Sequence, residues 1–151
     1  MRSSALTLVV LAPVLAACAP RLGPVYRDYA VPASLARADA VDSVRARTES
    51  ALLASGWTVV ATAPALQTAF RDGSDRLIYR NRMAVSVFPI GTDHVRVQYQ
   101  PVRRYTARMR TFLPYLTPGL ARPFVPALDA ALRARGFAPV LSGPRKDRDA
   151  R

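Results

Sequence analysis

The sequence is poor in the residues that carry most enzyme chemistry, with one Cys and one His among 151 residues. A single Cys excludes both an internal disulfide framework and a zinc site made of several Cys ligands from one chain. The length fits one small domain and leaves little room for a second, cofactor-binding one. Because half of the residues are hydrophobic and only 21% are charged, disorder of the whole chain is excluded as well.

Motifs of catalysis are also missing. His94 stands next to Asp93 at a predicted turn, and no nucleophile-elbow motif G-x-S-x-G accompanies it. The ten acidic residues are scattered without the spacing of metal ligands or of paired catalytic carboxylates, and no Gly-rich phosphate loop is present. We therefore expect a protein that is not an enzyme and needs no metal or other cofactor. A small hydrolase built around His94 is the remote alternative.

Residues 1–17 have the three-part layout of an export signal. Arg2 gives a weakly positive start, and the following stretch from Ala5 to Ala17 is almost continuously apolar. A helix of that length reaches only about 20 Å, short of a hydrocarbon core about 30 Å thick, and Pro13 interrupts it further. The segment therefore predicts export and not a permanent transmembrane helix.

The end of this segment, Leu15-Ala16-Ala17-Cys18, consists of an aliphatic residue, two small residues and Cys. It resembles the lipobox of bacterial lipoproteins. The resemblance implies that signal peptidase II recognises Leu15, Ala16 and Ala17 and cuts before Cys18. It also implies a diacylglyceryl group on the Cys18 thiol and an acyl chain on its new amine. The alternative is an ordinary signal peptide with an Ala-x-Ala cut, which leaves Cys18 as a free thiol.

The same resemblance predicts where the protein resides. Two or three acyl chains anchor a protein stably, whereas one chain holds it only marginally. In the lipoprotein family the residue after the Cys influences the choice of membrane, and Ala19 is not the Asp associated with inner-membrane retention. We therefore expect the bacterial cell envelope, with the outer membrane facing the periplasm favoured in a cell that has two membranes.

The mature chain is predicted to have three parts. Residues 18–38 are rich in Pro and form an extended tether, whose tyrosines can dock on the domain. Residues 39–141 form a single α+β domain, and residues 142–151 form a polar, charged tail.

Hydrophobic periodicity predicts two helices in the domain. The first begins at Asp39 or Ala40 and ends at Ser55, with Asp39 as its N-cap and Gly56 just beyond its end. The second runs from about Phe124 to Arg135. In it, Asp129 and Arg133 are four residues apart, the spacing at which opposite charges pair on a helix. The Pro-rich stretch between residues 105 and 126 is predicted to be irregular and packed across the domain.

Alternation of apolar residues predicts the strands. Residues 57–63, 66–71, 76–88 and 94–100 read as strands, with a turn at Asp72–Asp75 and a hairpin turn at Gly91–Asp93. One face of the third strand is predicted to be buried and consists of Leu77, Tyr79, Met83, Val85 and Val87. Only Asn81 interrupts this apolar face. Closing the hairpin between residues 90 and 94 places Val85 opposite Tyr99 and Arg80 opposite Arg104.

The predicted fold is therefore an α+β two-layer sandwich. It consists of a helix, an antiparallel meander of three or four strands and a second helix, with both helices on one face of the sheet. The opening helix, the following Gly-Trp and strand, and the closing helix are similar in outline to the helix-grip domains of BamC-type envelope lipoproteins.

Two surfaces are candidates for binding. The register places arginines on the sheet face away from the helices, where they form a candidate anion site: Arg80, Arg82, Arg96 and Arg104. Such a cluster suits an anionic lipid, lipopolysaccharide, another polyanion or an acidic protein. The alternative is a solvated sheet face in a chain of +12 net charge whose only Lys is Lys146, a composition typical of GC-rich codon usage.

The second candidate surface is aromatic. Tyr115 and Phe124 lie in or beside the Pro-rich stretch and can contact a partner protein, or they can belong to the core. Nucleic acid is a poor partner because lipoproteins are displayed outside the cytoplasm and no recognition signature is present. We predict a lipid-anchored envelope lipoprotein that acts as a non-catalytic binding or accessory module. A protein partner is the first choice, and anionic lipid or polyanion is the alternative; the oligomeric state is not indicated.

Overall fold

The computed structural model describes residue 23, residues 25–106 and residues 109–140, without the side chains of Ser74 and Asp75. The signal segment 1–17, the lipobox residues Leu15 to Cys18 and the tail 142–151 lie outside this part of the chain. No helix in the described part has the length and apolar character needed to span a bilayer.

The described elements alternate between a few helices and many short strands. In chain order they are β1 (Tyr26–Ala30), two single 3-10 turns (Ala33–Leu35 and Ala38–Ala40), α1 (Val41–Ala54), β2 (Val59–Ala61), β3 (Leu66–Thr68), β4 (Arg71–Asp75), β5 (Tyr79–Ile90), β6 (His94–Tyr105), β7 (Arg110–Phe112), α2 (Pro118–Ala121), α3 (Val125–Arg133) and β8 (Ala138–Pro139).

All of these strands join one antiparallel sheet of eight strands, in the order β2-β3-β5-β6-β1-β8. Its centre is the β5–β6 hairpin, in which each strand has twelve residues. Each long strand pairs on its outer side with two short strands in succession. These are β3 and β4 along β5, and β1 and β7 along β6.

The predicted meander of three or four strands between two helices is therefore wrong, although the chain is α+β. Strands of two to five residues are too short for apolar alternation to show in the sequence. They form because the outer edges of β5 and β6 carry backbone N–H and C=O groups that need partners. The clearest case is β1, since Tyr26–Ala30 was assigned to the tether and lies instead between β6 and β8.

The hairpin register is confirmed. Val85 lies opposite Tyr99 and Arg80 opposite Arg104, and the hairpin closes between Ile90 and His94. Gly91 in the turn has a φ of +61°, which Gly adopts at little cost.

The other end of the hairpin differs from the prediction. Asp72–Asp75 was predicted as a turn but lies in β4, where Asp72 pairs with Arg82 of β5. Pairing along a long neighbouring strand outweighs the turn preference of the Asp-Gly-Ser-Asp sequence. The chain reverses at residues 76–78 instead. Leu77, predicted to be buried, consequently lies at the tip of a turn and is 95% exposed.

The core lies between one face of the sheet and helices α1 and α3. Odd-numbered residues of β5 and β6 form its sheet side: Met83, Val85, Val87, Val95, Val97 and Tyr99. The helices cover them with Leu52, Leu128 and Leu132. Both helices lie within two residues of their predicted bounds, and Gly56 follows α1 with a φ of +82°. Asp39 is not the N-cap, because it lies in a 3-10 turn and pairs with Arg37 at 3.3 Å.

A polar cluster fixes α3 to the sheet. Asp129 accepts hydrogen bonds from the Tyr29 hydroxyl and from the Arg27 guanidinium, both on β1. Burial raises the pKa of Tyr29 and of Tyr99 above the usual range of tyrosine. Asp129 therefore bridges α3 to a distant strand, whereas the sequence spacing predicted a pair with Arg133.

Candidate functional site

The structure brings the four predicted arginines onto one face of the sheet. Arg80 and Arg82 occupy even-numbered positions of β5, and Arg96 and Arg104 lie at cross-strand positions on the same side of β6. The odd-numbered residues of both strands face the helices. The arginines therefore project from the face opposite the core, as the hairpin register predicts.

Arg96 is paired within the fold. Its Nε and Nη2 donate to the two carboxylate oxygens of Asp28 at 2.8 and 2.9 Å. Its guanidinium also lies 4.5 Å from the centre of the Tyr26 ring. The hydrogen bonds from Arg96 hold the pKa of Asp28 below its usual range. Because Asp28 and Tyr26 belong to β1, these contacts join the two neighbouring strands.

Arg82 has an equivalent role on the other side of the hairpin. Its Nε lies 2.7 Å from Oδ1 of Asp72, and its Nη2 donates to the carbonyl oxygen of Phe70 at 3.3 Å. The guanidinium lies 5.7 Å from the centre of the Phe70 ring. These contacts join β5 to β4. Two of the four predicted anion-binding residues are thus neutralised by carboxylates of the chain.

A group of further arginines lies where the β4–β5 and β6–β7 turns meet. We call this region, residues 76–80, 104–106 and 109–112, the turn end of the sheet. The N–H of Thr106 donates to the carbonyl oxygen of Ile78 at 3.2 Å and joins the two turns. A cleft of about 410 Å³ opens between them, lined in part by three arginines and two tyrosines: Arg76, Arg80, Arg104, Tyr79 and Tyr105.

The arginines of the turn end are exposed and close together. Arg104 lies opposite Arg80 on one side and opposite Arg110 on the other, so three arginines stand side by side on adjacent strands. Within the described residues, Arg76, Arg104 and Arg110 have no ion pair or side-chain hydrogen bond. Of the predicted anion site, Arg104 is therefore suited to bind an external anion, together with Arg76 and Arg110, which were not in that site. Arg110 was not among the predicted residues because β7 is too short to show a strand pattern.

The structure buries one of the two residues of the predicted aromatic contact surface. Phe124 is 2% exposed, and its ring centre lies 5.5 Å from that of Trp57 in the core. Tyr115 is half-buried. A partner cannot reach Phe124 without unfolding the domain, so Phe124 is a core residue.

Arg71 is a structural residue that the sequence pattern did not reveal. Its guanidinium lies 4.9 Å from the Trp57 ring centre and 5.6 Å from that of Phe124. Nη1 donates to the carbonyl oxygen of Ser55, the C-cap of α1, at 2.8 Å. A cation is favoured at a helix C-terminus, where carbonyl groups are unpaired. Only the tertiary packing brings Arg71 to this position.

His94 lies at the opposite end of the hairpin from the turn end. Its Nδ1 is 2.9 Å from Oδ1 of Asp93, and this contact holds the pKa of the Asp93 carboxyl below its usual range. His94 lines a cavity of about 50 Å³ beneath α1, a volume that holds a few water molecules. In the described part of the chain, no three His, Cys, Asp or Glu residues are grouped so as to hold a metal ion.

Comparison with known proteins gives the chain no family, since no protein-family model and no curated protein sequence matches it.

Proposed function

We propose that this protein is a lipid-anchored bacterial envelope lipoprotein whose α+β domain is a non-catalytic binding module. The observation that carries the proposal is the sequence Leu15-Ala16-Ala17-Cys18 at the end of an apolar export segment. Cys18 is the only Cys in the chain, so an accidental match would need that one residue to fall at this site. Ala19 favours the outer membrane, facing the periplasm, in a cell with two membranes.

Anionic groups are the binding partners that the described surface favours. The protein-contact hypothesis depended on Tyr115 and Phe124, and the burial of Phe124 removes half of that surface. At the turn end, Arg76, Arg104 and Arg110 are exposed and have no carboxylate partner among the described residues. Arginine binds phosphate through two parallel hydrogen bonds, so phosphate-bearing lipid or glycolipid is a chemically matched ligand.

Metabolic labelling tests the lipoprotein proposal. We expect the full chain, produced in a bacterium supplied with labelled palmitate, to carry the label and to begin at Cys18. The Cys18→Ser variant should lose the label. A matched control moves the thiol elsewhere, by combining Cys18→Ser with Ser34→Cys at an exposed position, and it should also remain unlabelled.

One result of this labelling would contradict the lipoprotein proposal. A mature chain that carries no acyl group and retains a free thiol at Cys18 would show that the segment is an ordinary signal peptide. Fractionation of the envelope then tests the membrane assignment, since the wild-type chain should separate with the outer membrane of a cell that has one.

A further inference from the structure

Large apolar side chains are exposed together at the turn end. Leu77 is 95% exposed, Ile78 60%, Met109 63% and Phe112 69%. Leu77 and Ile78 lie in the β4–β5 turn, which is hydrogen-bonded to the β6–β7 turn that precedes Met109. Single exposed apolar residues are ordinary, but a group of them at one end of a sheet marks a surface that binds something apolar.

Arginines surround these apolar side chains. Arg76 precedes Leu77 in the turn, and Arg110 follows Met109 at the start of β7. Arg104 lies between them on β6, opposite Arg110. The sequence has no acidic residue between Asp75 and Asp93. Apolar side chains beside arginines are the composition of protein segments that lie in the interface of an anionic membrane, where the apolar groups enter the acyl boundary and the cations meet phosphates.

The direction of β1 shows that the chain enters the sheet from the side of the turn end. β1 is antiparallel to β6, so its N-terminal end points toward the turn end, and the carbonyl oxygen of Val25 accepts the N–H of Tyr99. From Tyr99, β6 continues to Tyr105 over about 20 Å. Gly23 pairs with Leu116, and the five residues from Gly23 back to Cys18 span up to about 17 Å when extended. That length allows a lipid on Cys18 to reach toward the turn end.

We propose that the turn end is a membrane-docking tip. Leu77, Ile78 and Met109 enter an anionic lipid surface, and Arg76, Arg104 and Arg110 bind the phosphates of its headgroups. This orientation rests on the proposed lipid anchor, which holds the same end of the domain at the membrane. The domain then stands on the bilayer through both its lipid and its turn end, with α1 and α3 away from the tip.

A fluorophore at residue 77 tests the proposal on the mature, lipidated chain. Because the Cys18 thiol is acylated, the substitution Leu77→Cys supplies one reactive thiol for an environment-sensitive fluorophore. Val60→Cys is the matched control, since Val60 is 63% exposed but lies on β2, beside the other end of the hairpin. Each labelled chain is inserted into vesicles of phosphatidylcholine, with and without phosphatidylglycerol.

We expect a blue shift and a several-fold gain in fluorescence at position 77 in the vesicles with phosphatidylglycerol, and no change at position 60. Arg76→Glu combined with Arg104→Glu should weaken this insertion about tenfold or more. Arg47→Glu combined with Arg133→Glu changes the net charge equally on the two helices and should leave insertion intact. Equal loss in both pairs of variants would assign the effect to net charge and overturn the proposal.

Two further outcomes would also overturn it. One is a fluorophore at position 77 that stays hydrated in both kinds of vesicle although acylation of Cys18 has been verified. The other is crosslinking from position 77 in cells to one protein and not to lipid, which would make the turn end a protein-binding surface. If Cys18 is not acylated, the same fluorophore in a Cys18→Ser background still reports docking, so failure of the anchor and failure of the tip are distinguishable.

Discussion

Apolar residues have opposite positions in two regions of this domain, the layer beneath the helices and the turn end of the sheet. Met83 and Leu77 belong to one alternating series, but Met83 is fully buried and Leu77 is 95% exposed. Beneath α1 and α3 such residues exclude water and stabilise the fold. At the turn end no helix of the described part of the chain covers them, and they are exposed. The two residues are of one apolar class, but Met83 lies within β5 beneath the helices, whereas Leu77 lies in the turn that precedes β5.

The arginines on the other face of the sheet also differ between its middle and the turn end. In its middle, Arg96 and Arg82 are paired with Asp28 and Asp72 and hold neighbouring strands together. At the turn end, Arg104 has no such partner among the described residues. Arg82 and Arg96 therefore each lie beside a carboxylate of the adjacent strand, whereas Arg104 lies between two other arginines, Arg80 and Arg110.

The largest effect is expected in the covered layer. Phe124→Ala should lower the free energy of unfolding by about 3–5 kcal/mol, because it leaves a cavity beside Trp57. Urea unfolding measures the loss. Tyr115→Ala is the matched aromatic truncation at a half-buried position and should cost less. An unchanged unfolding midpoint for Phe124→Ala would show that Phe124 is not packed in the core and would support its predicted role as a partner contact.

The polar cluster on α3 should give the next largest effect. Asp129→Ala leaves the buried Tyr29 hydroxyl without its acceptor and is expected to cost about 2–3 kcal/mol of unfolding free energy. Arg133→Ala should cost much less, because Asp129 bonds to β1 and not along its own helix. Equal losses in the two variants would contradict this and would support the predicted pair between Asp129 and Arg133.

The strand pair Asp28–Arg96 should have a smaller, pH-dependent effect. The pKa of Asp28 is lower in the folded chain than its unfolded value of about 3.9. Its contribution is therefore complete at neutral pH and is lost as pH falls from about 5 through the folded pKa. Asp28→Asn should cost about 1 kcal/mol at pH 7 and flatten the dependence of stability on pH in that acidic range.

Urea unfolding between pH 3 and 7 measures this dependence for the wild type and for Asp28→Asn. A double-mutant cycle with Arg96→Gln isolates the pair and should give a coupling energy of about 1 kcal/mol at pH 7. A coupling energy near zero would show that Arg96 is free to bind an external anion, like Arg104.

The turn end should give the smallest effect on stability. Leu77→Ser is expected to change the free energy of unfolding by no more than about 0.5 kcal/mol, because the side chain contacts mainly water. Thermal or urea unfolding of the variant checks this. A loss like that of Phe124→Ala would mean that Leu77 packs against the domain, and the contrast between the two regions would disappear.

Much of the fold follows from local signals. The two main helices and the β5–β6 register were predictable because a period of 3.6 or of two residues persists over ten or more positions. Gly56 and Gly136 end helices with positive φ values, which only a residue without a Cβ adopts readily. The placement of Arg80 opposite Arg104 followed from the hairpin turn alone.

The rest of the site depended on partners far away in the chain. Asp28 is separated from Arg96 by 68 residues, and Arg27 from Asp129 by 102. No local pattern records such a pair, so the sequence could not distinguish the paired arginines from the unpaired ones. The same holds for Phe124, whose burial depends on Trp57 and Arg71 packing around it.

The sequence by itself determined the two main helices and the central hairpin, because each is encoded by neighbouring residues; it is also the sole basis for the proposed export segment and lipobox. Only the tertiary structure decided that β1 enters the sheet, that Arg82 and Arg96 are neutralised, and that Leu77 reaches the surface. These outcomes depend on which backbone edges and carboxylates meet in space, and on where the helices stop covering the sheet.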